Sequence, residues 1–129
     1  VGIGRTFRHV LRARLLTQGS KKKNMTAVRM QAAAYVDRLY GFSEGPVLMK
    51  VTEATPKTRF RSTREGAISY LVGGDPEFPA DRGFALKPWN QVRFENVAVH
   101  MEGEKAQAMG SMYLTNDAGD DRELHYTFC

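Results

Sequence analysis

Cysteine is almost missing. Cys129 is the only one in 129 residues, so no disulfide can form within the chain, and the compartment is left open. Histidine is scarce, at positions 9, 100 and 125, and no His/Cys grouping has metal-ligand spacing, so a zinc site made by this chain alone is not expected. No apolar run approaches the ~20 residues of a membrane-spanning helix. There is no Gly-x-Ser-x-Gly nucleophile turn and no glycine-rich phosphate loop. Acid is absent from the first 36 residues. They hold eight Lys/Arg, which leaves eleven against fourteen Asp/Glu in the other 93. The net charge of +5 therefore belongs to one end, and the body is net −3.

What is present reads as one domain, with an ordinary 42% hydrophobic and 26% charged residues. Residues 1–24 form a basic extension. Within it, Phe7, Val10, Leu11 and Leu15 recur at helical spacing among Arg5, Arg8, Arg12 and Arg14. Three readings stay open for this predicted helix: a contact with an anionic surface through Arg5–Lys23, the remnant of a transit segment, or a helix packed on the domain. Lys21, Lys22 and Lys23 lack interleaved aromatics, so specific nucleic-acid binding is not expected.

A second helix is predicted over Thr26–Tyr40, with Val28, Ala32, Tyr35, Val36, Leu39 and Tyr40 in one stripe and Gly41 as a left-handed stop. Val47–Thr52 reads as a short strand, broken at Thr55-Pro56-Lys57. Ser62 or Thr63 caps a short helix through Ala67–Val72. Glu65 stands three residues after Ser62, as a capping box requires, and Gly73-Gly74 ends the helix. The loop 75–88 has an apolar centre at Phe84-Ala85-Leu86.

Three strands follow: Gln91–Met101, Ala106–Thr115 and Arg122–Phe128, joined by turns at Glu102-Gly103-Glu104 and 116–120. Ala106, Ala108, Gly110, Met112 and Leu114 share a face, as do Leu124, Tyr126 and Phe128. In the first strand Val92 and Phe94 keep one phase, and Val97, Val99 and Met101 keep the other. A period of two changes phase only with an extra residue, so a β-bulge is predicted near Asn96. The fold class is α+β: a curved antiparallel sheet with helices packed on one face, enclosing a cone-shaped pocket.

His100 and His125 are expected on the solvent side of their strands, and the paired acids on turns. Two hydroxyls stand in apolar settings. Thr52 ends an apolar strand, and Tyr70 sits inside Ala67–Val72. Each must find a hydrogen bond or cost about 1–3 kcal/mol. On the residues alone, a turn-capping Thr52 and an amphipathic core Tyr70 explain both.

Several blocks carry a resemblance: Val47–Thr52, Phe60–Gly74, Gly83–Trp89, Val92–Asn96, Ala108-Met109-Gly110 and Tyr126-Thr127-Phe128. From about Met25 to the end, the chain resembles the domain of the iota-class carbonic anhydrases. The resemblance implies a cone of the nuclear-transport-factor-2-like (SnoaL-like) type. It also implies reversible hydration of CO2 to bicarbonate, in several members without a metal ion or other cofactor. Residues 25–129 are then this domain without its last strand or strands.

By that resemblance Thr52 and Tyr70 are the catalytic hydroxyls, and Trp89, Phe94, Met112 and Tyr126 are candidate pocket lining. The family's further serine, in a His-His-Ser-Ser strand, has no counterpart in the 129 residues. Val51 stands where the family usually has proline, Ser111-Met112 where it has Asn-Tyr, and Cys129 where it has glycine. These departures frame the alternative, a non-catalytic structural or linking subunit of a larger plastid assembly. A homodimer, or a larger assembly through the sheet edge and N-terminal helix, is the expected state. The expected location is an algal plastid, or the cytoplasm or periplasm of a bacterium. Arg122–Cys129 is expected to be a sheet edge that needs a neighbouring strand.

Overall fold

The computed structural model describes residues 25–129; the basic helix anticipated at 5–16 lies outside the described residues. They form two compact units, residues 25–87 and 88–129, and the class is α+β.

In the first unit, α1 spans Met25–Leu39. Its buried residues Val28, Ala32 and Val36 fall four apart, one above another on a single helix face. That face packs on α2, Arg64–Val72, which is buried along most of its length. Arg64 on α2 also donates to both oxygens of Asp37 on α1, at 2.5 and 2.8 Å. Gly41 does not supply the left-handed stop. It has no positive φ; the chain leaves the helix through Tyr40 N–H to Val36 O and a turn closed by Glu44 N–H on Gly41 O.

The Val47–Thr52 strand shrinks to β1, Met49–Lys50, paired antiparallel with β2, Phe60–Arg61. The physical limit is the partner, since only two residues of β2 extend beside it. Val51 N–H adds one more bond to Arg59 O. Pro56 opens a 3-10 turn, Pro56–Thr58, which reverses the chain between the two strands.

The capping box anticipated at Ser62 and Glu65 does not form. Thr63 is the N-cap and its hydroxyl accepts from Gly66 N–H at 3.1 Å. Glu65 is thus one residue too early to reach back and lies instead 3.7 Å from Arg64. Gly73 ends α2 at φ 71°, and its N–H bonds to Ser69 O. Phe84–Leu86 forms a 3-10 turn whose Phe84 and Ala85 are buried, as the apolar centre of that loop requires.

The second unit is a three-stranded antiparallel meander: β3 (Trp89–Glu102), β4 (Lys105–Asn116) and β5 (Asp121–Phe128), in the order β3-β4-β5. Asn96 pairs with Gly110 and Ala98 with Met109, so Val97 is the extra residue and the bulge falls where the change of phase placed it. A second register shift, between Trp89 and Gln91, had no signal in the hydrophobic pattern.

Phe94, Met112 and Leu124 align across the three strands, and Asn96, Gly110 and Tyr126 align one step further along. Leu114 is fully buried, and Leu124, Tyr126 and Phe128 are half-buried between exposed neighbours. Past the bulge the apolar residues of β3 are solvent-exposed, Val97 and Met101 to 74% and 70%. β5 is an edge strand of this sheet.

Candidate active site

The first unit brings Thr52 and Tyr70 together. Their hydroxyls lie 3.4 Å apart, at the long end of hydrogen-bond range, and either is able to donate. Thr52 is exposed at a bend just beyond β1, and Tyr70 is buried in α2. The pair therefore sits where an apolar interior meets solvent, with one hydroxyl fixed and one accessible.

The Tyr70 ring is held flat. Phe84 stacks on it with centroids 5.4 Å apart and planes 11° from parallel. Burial pushes the phenol above its ordinary value of 10.0, while hydrogen bonds from Thr52 and from the Glu53 backbone pull it down. The Glu53 charge raises it and the Arg61 charge lowers it, and the net direction is up. Tyr70 is thus a neutral hydrogen-bond donor across the neutral pH range.

Beneath this pair lies a polar cluster that sequence reasoning missed. The Arg61 side chain is fully buried. It donates from Nε to Thr58 O at 2.7 Å and from Nη1 to Gly66 O at 3.0 Å. It also donates twice to Asp81, at 2.7 Å from each terminal nitrogen. Its guanidinium carbon lies 4.1 Å from the centre of the Phe78 ring and 6.0 Å from that of Tyr70. Ser69, the residue before Tyr70, donates to Asp81 Oδ2 at 2.6 Å. Burial alone raises the Asp81 carboxyl, but the bonds from Arg61 and Ser69 and the Arg61 charge outweigh it and hold the group below the ordinary range. Arg61 and Asp81 are twenty residues apart with no periodic relation. The available signal was an arginine beside apolar Phe60 and just ahead of a helix cap.

Beside Thr52, Glu53 Oε2 forms a close ion pair with Lys87 Nζ. Lys87 Nζ in turn lies 6.0 Å from the centre of the Phe84 ring.

The second unit holds the other four predicted site residues. Phe94, Met112 and Tyr126 share one face of the sheet, with Tyr126 edge-on to Phe94 at 5.6 Å. Trp89 is buried at the start of β3. Tyr126 also hydrogen-bonds to Asn96 Oδ1 across Gly110. A Cβ on Gly110 would lie 2.1 Å from Glu95 O and 2.8 Å from the Tyr126 hydroxyl, so only glycine fits under that contact.

The opposite face groups Ser111, Glu123 and His125, and His125 is exposed as anticipated. Glu123 stands between the other two, taking Ser111 Oγ at 2.7 Å and facing His125 Nε2 at 3.5 Å. The imidazole is therefore not placed to take a proton from the serine, and the trio is not a nucleophilic triad. His100 is also exposed. Among the described residues no three His, Cys, Asp or Glu side chains are grouped to hold a metal ion.

Comparison with known proteins gives consistent matches. A family model described as metal-independent carbonic anhydrase matches residues 8–129. The metal-independent carbonic anhydrase of Nostoc sp. (strain PCC 7120) is 40% identical over 97 residues, which are 75% of this chain and 47% of that protein. The chain thus spans about half the length of that relative. The crystal structure of the iota-carbonic anhydrase from a cyanobacterium, complexed with bicarbonate, is similar with a TM-score of 0.80 at 32% identity. That match covers 97% of this chain and 77% of that one.

Proposed function

The chain belongs to the metal-independent carbonic anhydrase family, and from that membership we propose that it catalyses the reversible hydration of CO2 to bicarbonate. The observation that carries the proposal is the Thr52–Tyr70 hydroxyl pair, 3.4 Å apart at the edge of a buried cluster. Hydration needs a positioned water and donors for the oxygen on which charge develops. Thr52, accessible and rotatable, orients the water. Tyr70, kept protonated by its burial, donates to the developing bicarbonate oxygen. The stacked Phe84 and the Arg61–Asp81–Ser69 cluster fix the Tyr70 ring in advance. That Trp89, Phe94, Met112 and Tyr126 line a pocket for CO2 rests on the family resemblance alone.

The test is CO2 hydration by the full-length protein, followed by stopped flow with and without a chelator. Hydration above buffer that persists in chelator supports the reading. A folded protein with no hydration above buffer refutes it.

The linking-subunit alternative is not favoured, because both family hydroxyls are present and in contact. Homodimerisation through the sheet edge belongs to the same proposal. It is supported by the edge position of β5 and the exposed Val97, Val99 and Met101, and sedimentation is its measurement. A plastid or bacterial location rests on the resemblance alone.

A further inference from the structure

Two hydroxyls leave one part of hydration unassigned. When water adds to CO2 a proton must go somewhere, and a neutral hydroxyl is a poor base at neutral pH. The first unit contains a carboxylate beside the pair. Glu53 follows Thr52 in the chain, its backbone is hydrogen-bonded to the Tyr70 hydroxyl, and its negative charge acts on that hydroxyl. Its side chain is 14% exposed and pairs with Lys87, which is 35% exposed. Lys87 lies over Phe84, and Phe84 stacks on Tyr70. A closed circuit of contacts therefore runs Thr52, Tyr70, Phe84, Lys87, Glu53 and back to Thr52 through a peptide bond. Its inner side is the buried phenol and its outer side is the more exposed ammonium.

We propose that Glu53 is the proton acceptor of this site and that Lys87 is the positioning residue that holds its carboxylate beside Thr52 and Tyr70. The inference rests on the carbonic anhydrase reading above. The step balances as follows. The water oxygen bonds to the CO2 carbon, one C=O electron pair moves onto the oxygen that Tyr70 faces, and an O–H bond of the water breaks with its proton passing to Glu53. Bicarbonate and a neutral Glu53 result, and the proton then leaves to solvent or buffer. A carboxylate does not deprotonate free water. It becomes competent as the C–O bond forms, because the attacking water gains acidity along the reaction coordinate.

The test is stopped-flow CO2 hydration by the full-length wild type, Glu53→Gln and Lys87→Met, each with increasing imidazole, and with Thr52→Ala as a reference. Glu53→Gln is expected to lower kcat about 10²-fold or more with KM changed by less than about threefold, within the usual range of general-base effects. Imidazole, an external proton acceptor, should restore part of that loss in proportion to its concentration. Lys87→Met should lose less than Glu53→Gln and recover with the same buffer. Thr52→Ala, which lacks the water-orienting group, should not recover.

Wild-type activity in Glu53→Gln overturns the relay and leaves the carbonic anhydrase reading standing. So does a loss in the folded variant that imidazole does not restore. If Glu53→Gln fails to fold, Lys87→Met decides in its place, since a loss there without recovery marks the pair as structural. Wild-type protein without hydration above buffer removes the underlying reading, and the relay with it.

Discussion

Arg61 and Asp81 meet through two parallel hydrogen bonds of 2.7 Å, with 0% and 6% of their side chains exposed. The arginine comes from the last residue of a two-residue strand, the aspartate from an irregular loop. Neither local structure stabilises itself, and the pair ties both to α2 through Gly66 O and Ser69 Oγ.

Asp81→Asn should therefore be costly. It leaves the Arg61 charge buried with carbonyl partners only. Breaking one side of a buried pair costs about 3–5 kcal/mol. Urea denaturation of Asp81→Asn against wild type is the measurement, and a shift of that order is expected. The pH dependence has a definite sign. The folded Asp81 carboxyl is held below its ordinary value of 3.8. Its contribution is complete above that value and is lost as pH falls through the depressed folded value. Wild-type stability should drop there, and the drop should be shallower in Asp81→Asn, which has no group to protonate.

Gly110→Ala should destabilise the sheet more than any alanine change at a neighbouring exposed site. The added carbon would stand 2.1 Å from Glu95 O, which is backbone and part of the bulged β3. Relief requires the strands to separate, at a cost of about 3 kcal/mol or more. Asn96→Ala removes only the acceptor of the Tyr126 hydroxyl and should cost about 1 kcal/mol. Thermal melts of the two variants test the order.

These two sites also mark where the sequence stops being legible. The bulge was readable because a change of phase in a period of two requires it, and Val92/Phe94 against Val97/Val99/Met101 states it outright. Thr52 and Tyr70 were noticeable as hydroxyls among apolar residues, and only the family resemblance assigned them a role. Gly110 carries no such mark. Its necessity depends on which residue of β3 passes beneath it, and that follows from the register. Arg61 and Asp81 carry no mark either, because arginine and aspartate are ordinarily solvated and nothing local in the sequence announces a buried partner. Their partnership is set by a loop conformation that has no period. Gly41 failed in the opposite direction. A glycine after a helix is usually its left-handed stop, but here Tyr40 N–H takes the Val36 carbonyl and Glu44 N–H closes a turn on Gly41 O, with no positive φ at Gly41.

Tyr70 should act as a donor and never as the base. Its phenol is raised above 10.0 by burial. The pH profile of kcat should therefore show no ionisation of this group below that value, and the decline it causes should appear only above it. Tyr70→Phe, which keeps the stack on Phe84, should lower kcat about 10²-fold, the scale for losing one donor to a developing charge. The remaining profile below pH 10 should keep its shape.

Thr52 and Tyr70 should behave as one device rather than two. In a cycle of Thr52→Ala, Tyr70→Phe and the double variant, independent contributions would multiply, and two losses of about 10²-fold would give about 10⁴. The hydroxyls touch, and the proposed step needs the water and the oxyanion donor in a single geometry. Removing either leaves the other facing a misplaced reactant, so its contribution is already forfeited. The double variant should thus fall little below the worse of the two singles, as groups that act as a unit do. The measurement is kcat/KM for CO2 hydration of all four proteins. A product of the two single losses would mean that the hydroxyls serve separate steps, and their 3.4 Å contact would then be a packing contact without a catalytic role.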